Sequence, residues 1–97
     1  EQRKLLSTAF DSLKPGGVVV YSTCTLEPEE DEGVVSWLLE QRPDAEVLPI
    51  SLDIERSPAV TEFDGQSYHD SVRECLRIYP QDNDSEGFFV ARVRKKE

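Results

Sequence analysis

Apolar positions recur at helical spacing in the first stretch of the chain. Leu5, Leu6, Ala9, Phe10 and Leu13 share one side of a helix predicted over residues 2–13. Lys14-Pro15-Gly16-Gly17 stops it, because Pro15 disfavours helical backbone at Lys14 and the glycines permit a turn. Val18-Val19-Val20-Tyr21 is a short, unbroken, β-branched run, the pattern of a strand buried on both faces. Ser22-Thr23-Cys24-Thr25 follows as a small polar loop. A second helix is predicted from Pro28, since proline suits the first helical position. Glu29, Glu30, Asp31 and Glu32 crowd its first turn, where carboxylates favour the helix dipole. Val34, Val35, Trp37, Leu38 and Leu39 form its apolar side, and Arg42-Pro43-Asp44 ends it.

The second half is less regular. Residues 46–50 read as a short extended piece, and residues 51–74 as a polar, irregular excursion. Cys75-Leu76-Arg77-Ile78-Tyr79 alternates like a strand, residues 81–86 form a polar turn, and residues 87–93 form another strand with a basic tail. Two strands joined by a short polar turn predict a closing antiparallel hairpin. The whole order is that of an α/β layered sheet. One strand of the buried kind is not a sheet, so a parallel partner is expected from an N-terminal portion outside these 97 residues.

Composition narrows the function classes. A formal net charge of −9 argues against a general nucleic-acid binder, because phosphate contacts need Lys and Arg. Arg77, Arg92, Arg94, Lys95 and Lys96 are the candidates for such contacts, or simply a solvated strand end and tail. No apolar run approaches membrane-spanning length. Cys24 and Cys75 sit in no metal-ligand spacing and read as free thiols in a reducing cytoplasm. Trp37, Phe88 and Phe89 read as packing residues, and the single His69 as a surface residue.

Cys24 is the candidate for chemistry. It falls just past the carboxyl end of the predicted strand, where ligands bind in open α/β sheets, and shortly before a helix N-terminus that favours a thiolate, while any of Glu29 to Glu32 turned toward the sulfur works the other way. Position alone leaves a small buried thiol as the competing reading. That competing reading makes the chain a non-catalytic interaction or scaffold module. A thiol hydrolase is a further alternative, with His69 as the histidine partner it would need.

The run from Leu13-Lys14-Pro15-Gly16-Gly17 through Tyr21-Ser22-Thr23-Cys24-Thr25 to Pro28-Glu29-Glu30-Asp31-Glu32 resembles the Sun/NSUN (Fmu-type) family of RNA 5-methylcytosine methyltransferases. In that family an LKPGG turn leads into the fifth sheet strand, and a Y-S-T-C-S-x-x-P-x-E-N-E motif follows. Here Thr25 stands for the usual Ser and Asp31 for the usual Asn. Arg77-Ile78-Tyr79-Pro80, followed by Gly87-Phe88-Phe89-Val90-Ala91, is similar to the family's closing R-x-x-P … D-G-F-F-x-A, with Glu86 where Asp is usual. The resemblance covers residues 1–50 and 75–95 and is poor across 51–74.

The resemblance implies the C-terminal part of a Rossmann-like class I methyltransferase domain, made of a central strand, a helix and the closing hairpin. It implies Cys24 as the nucleophile that adds to C6 of an rRNA or tRNA cytosine, so that C5 attacks the methyl group of S-adenosylmethionine. Thr23 and Thr25 are expected to shape the loop that presents Cys24. The family's second cysteine, in a P-C-S motif, its glycine-rich cofactor loop and its cofactor-holding acidic residues have no counterpart here, and Cys75 does not match the second cysteine. On that reading the chain alone is expected neither to hold the cofactor usefully nor to catalyse.

Overall fold

The computed structural model describes residues 2–24, 27–50, 57–79 and 87–97. Helix α1 spans Gln2–Asp11, strand β1 Val18–Thr23, helix α2 Glu32–Gln41 and strand β2 Ala45–Leu48. Strands β3 (Glu62–Phe63) and β4 (Gln66–Ser67) follow, then β5 (Leu76–Ile78) and β6 (Phe88–Lys95). Short 3-10 turns occupy Pro28–Glu30 and Asp70–Glu74.

Strand β6 organises the main sheet. One of its edges pairs antiparallel with β1, from Val18↔Arg94 to Thr23↔Phe89. Its other edge is shared by β2, which pairs with Arg92–Lys95, and by β5, which pairs with Phe88–Val90. The expected closing hairpin between the last two strands is therefore present, while its predicted turn at 81–86 lies outside the described residues. The turn after α1 is stitched to the end of β6. Gly16 takes φ +87°, a left-handed value that a side chain resists, while its N–H donates to Lys95 O and Lys95 N–H donates to Gly17 O.

Both helices cover the same face of the sheet. Leu6 and Phe10 of α1 and Val34, Val35 and Leu38 of α2 pack over Phe89, Ala91 and Val93, the inward positions of β6. Trp37 packs at the margin of this core, beneath the Arg3 guanidinium. Phe89 is in the core, as its strand alternation requires. At β1 the opposite face is uncovered, and this corrects the expectation of a strand buried on both faces: Val18 and Val20 are 39% and 59% exposed, although Leu76 and Ile78 of β5 are buried on that side of the sheet. The physical reason is that no element of the described chain lies over Val18 and Val20.

The excursion is more ordered than its polarity suggested. Asp64 and Gly65 both take positive φ and turn β3 into β4, the Asp-Gly pattern of a tight hairpin. His69 is exposed, as expected, and its Nδ1 accepts a hydrogen bond from Ser71 N–H at the start of the 3-10 turn.

Arg77 is the largest correction. It is neither solvated nor available to a phosphate but 0% exposed. Its Nε donates to Glu32 Oε2 at 2.7 Å and its Nη2 to Glu32 Oε1 at 2.5 Å and Asp31 Oδ2 at 3.1 Å. Asp31 and Glu32 are likewise fully buried, so half of the acidic run before α2 is core, not a solvated helix end. Burial works against the Arg77 charge, but the hydrogen bonds and charges of Glu32 and Asp31 hold it protonated. Desolvation raises the Asp31 carboxyl to about 6, while the Thr23 hydrogen bond and the Arg77 charge pull it down and Glu32 and Glu30 push it up.

Two outcomes follow. Removing one partner from a buried ion pair strands the other, so Arg77→Met is expected to cost about 3–5 kcal/mol. A fall in the urea midpoint at an unchanged slope would register it. Exposed Arg92→Met serves as the control, with a change within about 0.5 kcal/mol. The second concerns pH. Because Asp31 holds its proton more tightly when folded, its contribution to stability is largest in acid and is lost as pH rises from the ordinary 3.8 through about 6. Wild type should therefore lose urea resistance relative to Asp31→Asn between about pH 4.5 and about pH 7.

Candidate active site

Strand β1 runs two residues further than its apolar core predicted, through Ser22 and Thr23, and delivers Cys24 at its carboxyl end. Cys24 is exposed and free. The side chains before it are anchored. Tyr21 and Thr23 lie on the covered face, where the Tyr21 hydroxyl donates to Glu30 O at 2.5 Å and the Thr23 hydroxyl donates to Asp31 Oδ1 at 2.6 Å. The Tyr21 ring meets Phe89 edge-on, with centroids 6.3 Å apart. Burial and the charges of Asp31 and Glu30 raise the Tyr21 phenol to about 12, so it stays a neutral donor.

An open groove of about 510 Å³ lies beside Cys24. Leu5, Leu6 and Ala9 of α1 form one wall, and Val19 to Thr23 of β1 form the other. Its lining is largely apolar, and Leu5 and Val20 are among the most exposed large hydrophobic residues described.

Cys75 is the opposite kind of thiol. It is buried in the core cluster, and burial first, then Glu32 and Glu74, raise it to about 12. A thiol held protonated in the core is inert as a nucleophile. His69 lines a different hollow, with Pro43, Val47 and Lys96, so the structure does not bring it to the groove of Cys24.

Thr23, expected in the loop after the strand, is the last residue of β1, and its partner Asp31 is the residue that sequence reasoning missed. Thr25 lies outside the described residues. Of the remaining basic candidates, Arg94 pairs with Glu46 and Glu97, and Lys95 Nζ donates to Leu13 O at 2.9 Å and sits over the Phe10 ring. Arg92 and Lys96 are exposed. Among the described residues no cluster of His, Cys, Asp or Glu could hold a metal, and no helix is long and apolar enough to cross a membrane.

Comparison with known proteins puts this geometry in context. A tRNA (cytosine(49)-C(5))-methyltransferase of Pyrococcus abyssi is 50% identical over 94 residues, 97% of this chain and 30% of the relative. Ribosomal RNA small subunit methyltransferase F of Escherichia coli is 46% identical over 97% of this chain and 18% of its own length. The chain thus spans less than a third of the curated relatives it matches. Among solved structures, a methyltransferase homolog protein from Pyrococcus horikoshii superposes with a TM-score of 0.86 at 41% identity, over 97% of this chain and 30% of that one. NSun6 from the same organism gives 0.74 at 34% identity, over 99% and 22%. These likenesses bear out an α/β fold that forms the C-terminal part of a class I methyltransferase. The family model described as 16S rRNA methyltransferase RsmB/F matches residues 1–94, and the chain belongs to that methyltransferase family.

Proposed function

We propose that this chain is the C-terminal portion of an RNA cytosine-C5 methyltransferase domain and that Cys24 is its nucleophile. One observation carries the reading. The cysteine that matches the family's T-C motif is exposed at the carboxyl end of β1 beside an apolar groove, whereas the other thiol is buried. A scaffold role with Cys24 as filler fits that exposure poorly.

The chemistry needs a thiolate because cytosine C5 is a weak nucleophile. Cys24 Sγ bonds to C6, and the C5–C6 π pair shifts onto C5, the atom that takes the methyl group. Loss of the C5 proton and expulsion of the thiolate restore the ring. Splitting one hard step into easier ones is the general advantage of covalent catalysis. The target base has to leave any stack to reach the sulfur. A tRNA and an rRNA enzyme stand among the relatives, so both RNA classes are candidate substrates.

The methyl donor is S-adenosylmethionine. The described residues do not fit it by themselves. Asp31 and Glu32 are committed to Arg77, and β1 is followed by no glycine-rich turn. We assign its binding to residues outside the chain, and we expect no turnover from the chain alone. The open edge of β1 and the uncovered face at Val18 and Val20 are the surfaces we assign to the rest of the domain. Two free thiols suit a reducing, cytoplasmic setting.

The deciding experiment uses the full-length protein with S-adenosylmethionine and with tRNA and small-subunit rRNA transcribed with 5-fluorocytidine. Fluorine at C5 cannot leave as a proton does, so the expected product is a denaturation-resistant protein–RNA adduct that Cys24→Ala abolishes. An adduct that survives Cys24→Ala, or none from folded wild type with either RNA, would overturn the assignment. A brief alkylation pulse should also modify Cys24 and spare Cys75.

A further inference from the structure

Thr23, Phe89 and Arg77 form one row across three strands, since Phe89 pairs with Thr23 on one edge of β6 and with Arg77 on the other. Residues in one row point to the same face of a sheet. Asp31 spans that row above Phe89. Its Oδ1 accepts from Thr23 Oγ1 at 2.6 Å and its Oδ2 from Arg77 Nη2 at 3.1 Å. The Arg77 guanidinium lies 5.8 Å over the Phe89 ring and is forked onto Glu32 through Nε and Nη2.

Each link has a separate task. Glu32 alone takes two of the Arg77 hydrogen bonds, so the pin between α2 and β5 does not need Asp31. What Asp31 adds is a connection from that pin to Thr23, the residue immediately before Cys24. As the residue between the Pro28–Glu30 turn and α2, Asp31 makes no side-chain bond to the helix N-terminus it precedes. Its carboxylate reaches across to the strand instead.

Resting on the reading of Cys24 as nucleophile, we propose that Asp31 is a positioning residue, which transmits the fixed geometry of the Arg77–Glu32 pair through the Thr23 hydroxyl to the segment that presents the thiol. A nucleophile displaced by an ångström loses rate without losing substrate affinity, because the reacting atoms fall outside the attack geometry.

The test is a double-mutant cycle in the full-length protein with Thr23→Val, Asp31→Ala and the pair. The readouts are the rate of adduct formation with 5-fluorocytidine RNA at saturating RNA and S-adenosylmethionine, the RNA concentration for half-maximal rate, and the thermal midpoint. Thr23→Val is the variant least able to disturb folding, since it exchanges a hydroxyl for a methyl. It is expected to slow adduct formation roughly 10- to 100-fold and to leave the half-maximal RNA concentration within about twofold. Thr23→Ser, which keeps the hydroxyl, restores the rate. The pair is no slower than its slower member, because both substitutions break the same link.

An unchanged rate in Thr23→Val, a Thr23→Ser as slow as Thr23→Val, or fully multiplicative losses in the pair would overturn the proposal. Cys24→Ala run alongside separates the two readings. An adduct that persists without the thiol sinks the nucleophile itself, whereas one lost in Cys24→Ala but undiminished in Thr23→Val sinks only the role of Asp31.

Discussion

A buried guanidinium needs its charge matched, and Arg77 meets that need with two carboxylates from the start of α2. Burial first, and the neighbouring charges of Glu32 and Glu30 after it, raise the Asp31 carboxyl to about 6 despite the Thr23 hydrogen bond and the Arg77 charge. Such clusters contribute little net stability compared with apolar residues of the same size. Their effect here is on register. A slip of β5 by one residue would turn Arg77 to the other face of the sheet and strand both carboxylates. The ion cluster thus selects one alignment of the short β5 on β6, which three residues of backbone pairing would define only weakly.

The same placement divides the two faces of the sheet by purpose. The covered face holds α1, α2, the ion cluster and Cys75. At β1 the other face and the strand's edge stay open, with Val18, Val20 and the groove beside Cys24, while Leu76 and Ile78 are buried on that face at β5. Charge follows the same division. Arg77, Arg94 and Lys95 are engaged within the fold, and the exposed Arg92 and Lys96 stand against a net charge of −9. An RNA backbone binds through released counterions at several cations. The balance fits the proposed reading, in which this part presents Cys24 and the RNA grip lies elsewhere in the full-length protein.

Much of this was legible in the sequence. Helical spacing at Leu5, Leu6, Ala9 and Phe10, the valine run of β1 and the strand pair near the end all appear where local periodicity put them. The order of motifs around Cys24 identified the family. What local pattern could not reveal is pairing at long range. An acidic run at a helix start reads as a partner of the helix dipole, and carboxylates are almost never buried unless paired. The cation that buries this one lies 45 residues downstream. Conversely, Arg77 within an alternating strand gave no hint of which face it occupied. The β3–β4 hairpin did leave a signal, Asp64-Gly65, but two-residue strands are too short for alternation to register beside it.

A catalytic thiol has conflicting needs, for it has to be open to a base and yet held still. If Cys24 has the role proposed for it, the chain reconciles them by alternation along β1. Tyr21 and Thr23 point into the covered face and are tied to Glu30 O and Asp31, so the strand is fixed up to the residue before the thiol. Cys24 follows immediately and is exposed. Rigidity comes from the buried neighbours and access from the open edge, with no need for the sulfur itself to be packed. Cys75 shows the alternative: a thiol fixed by its own burial is raised to about 12 and loses its nucleophilic form. Anchoring the residues beside Cys24, and not Cys24 itself, is the arrangement that keeps both properties.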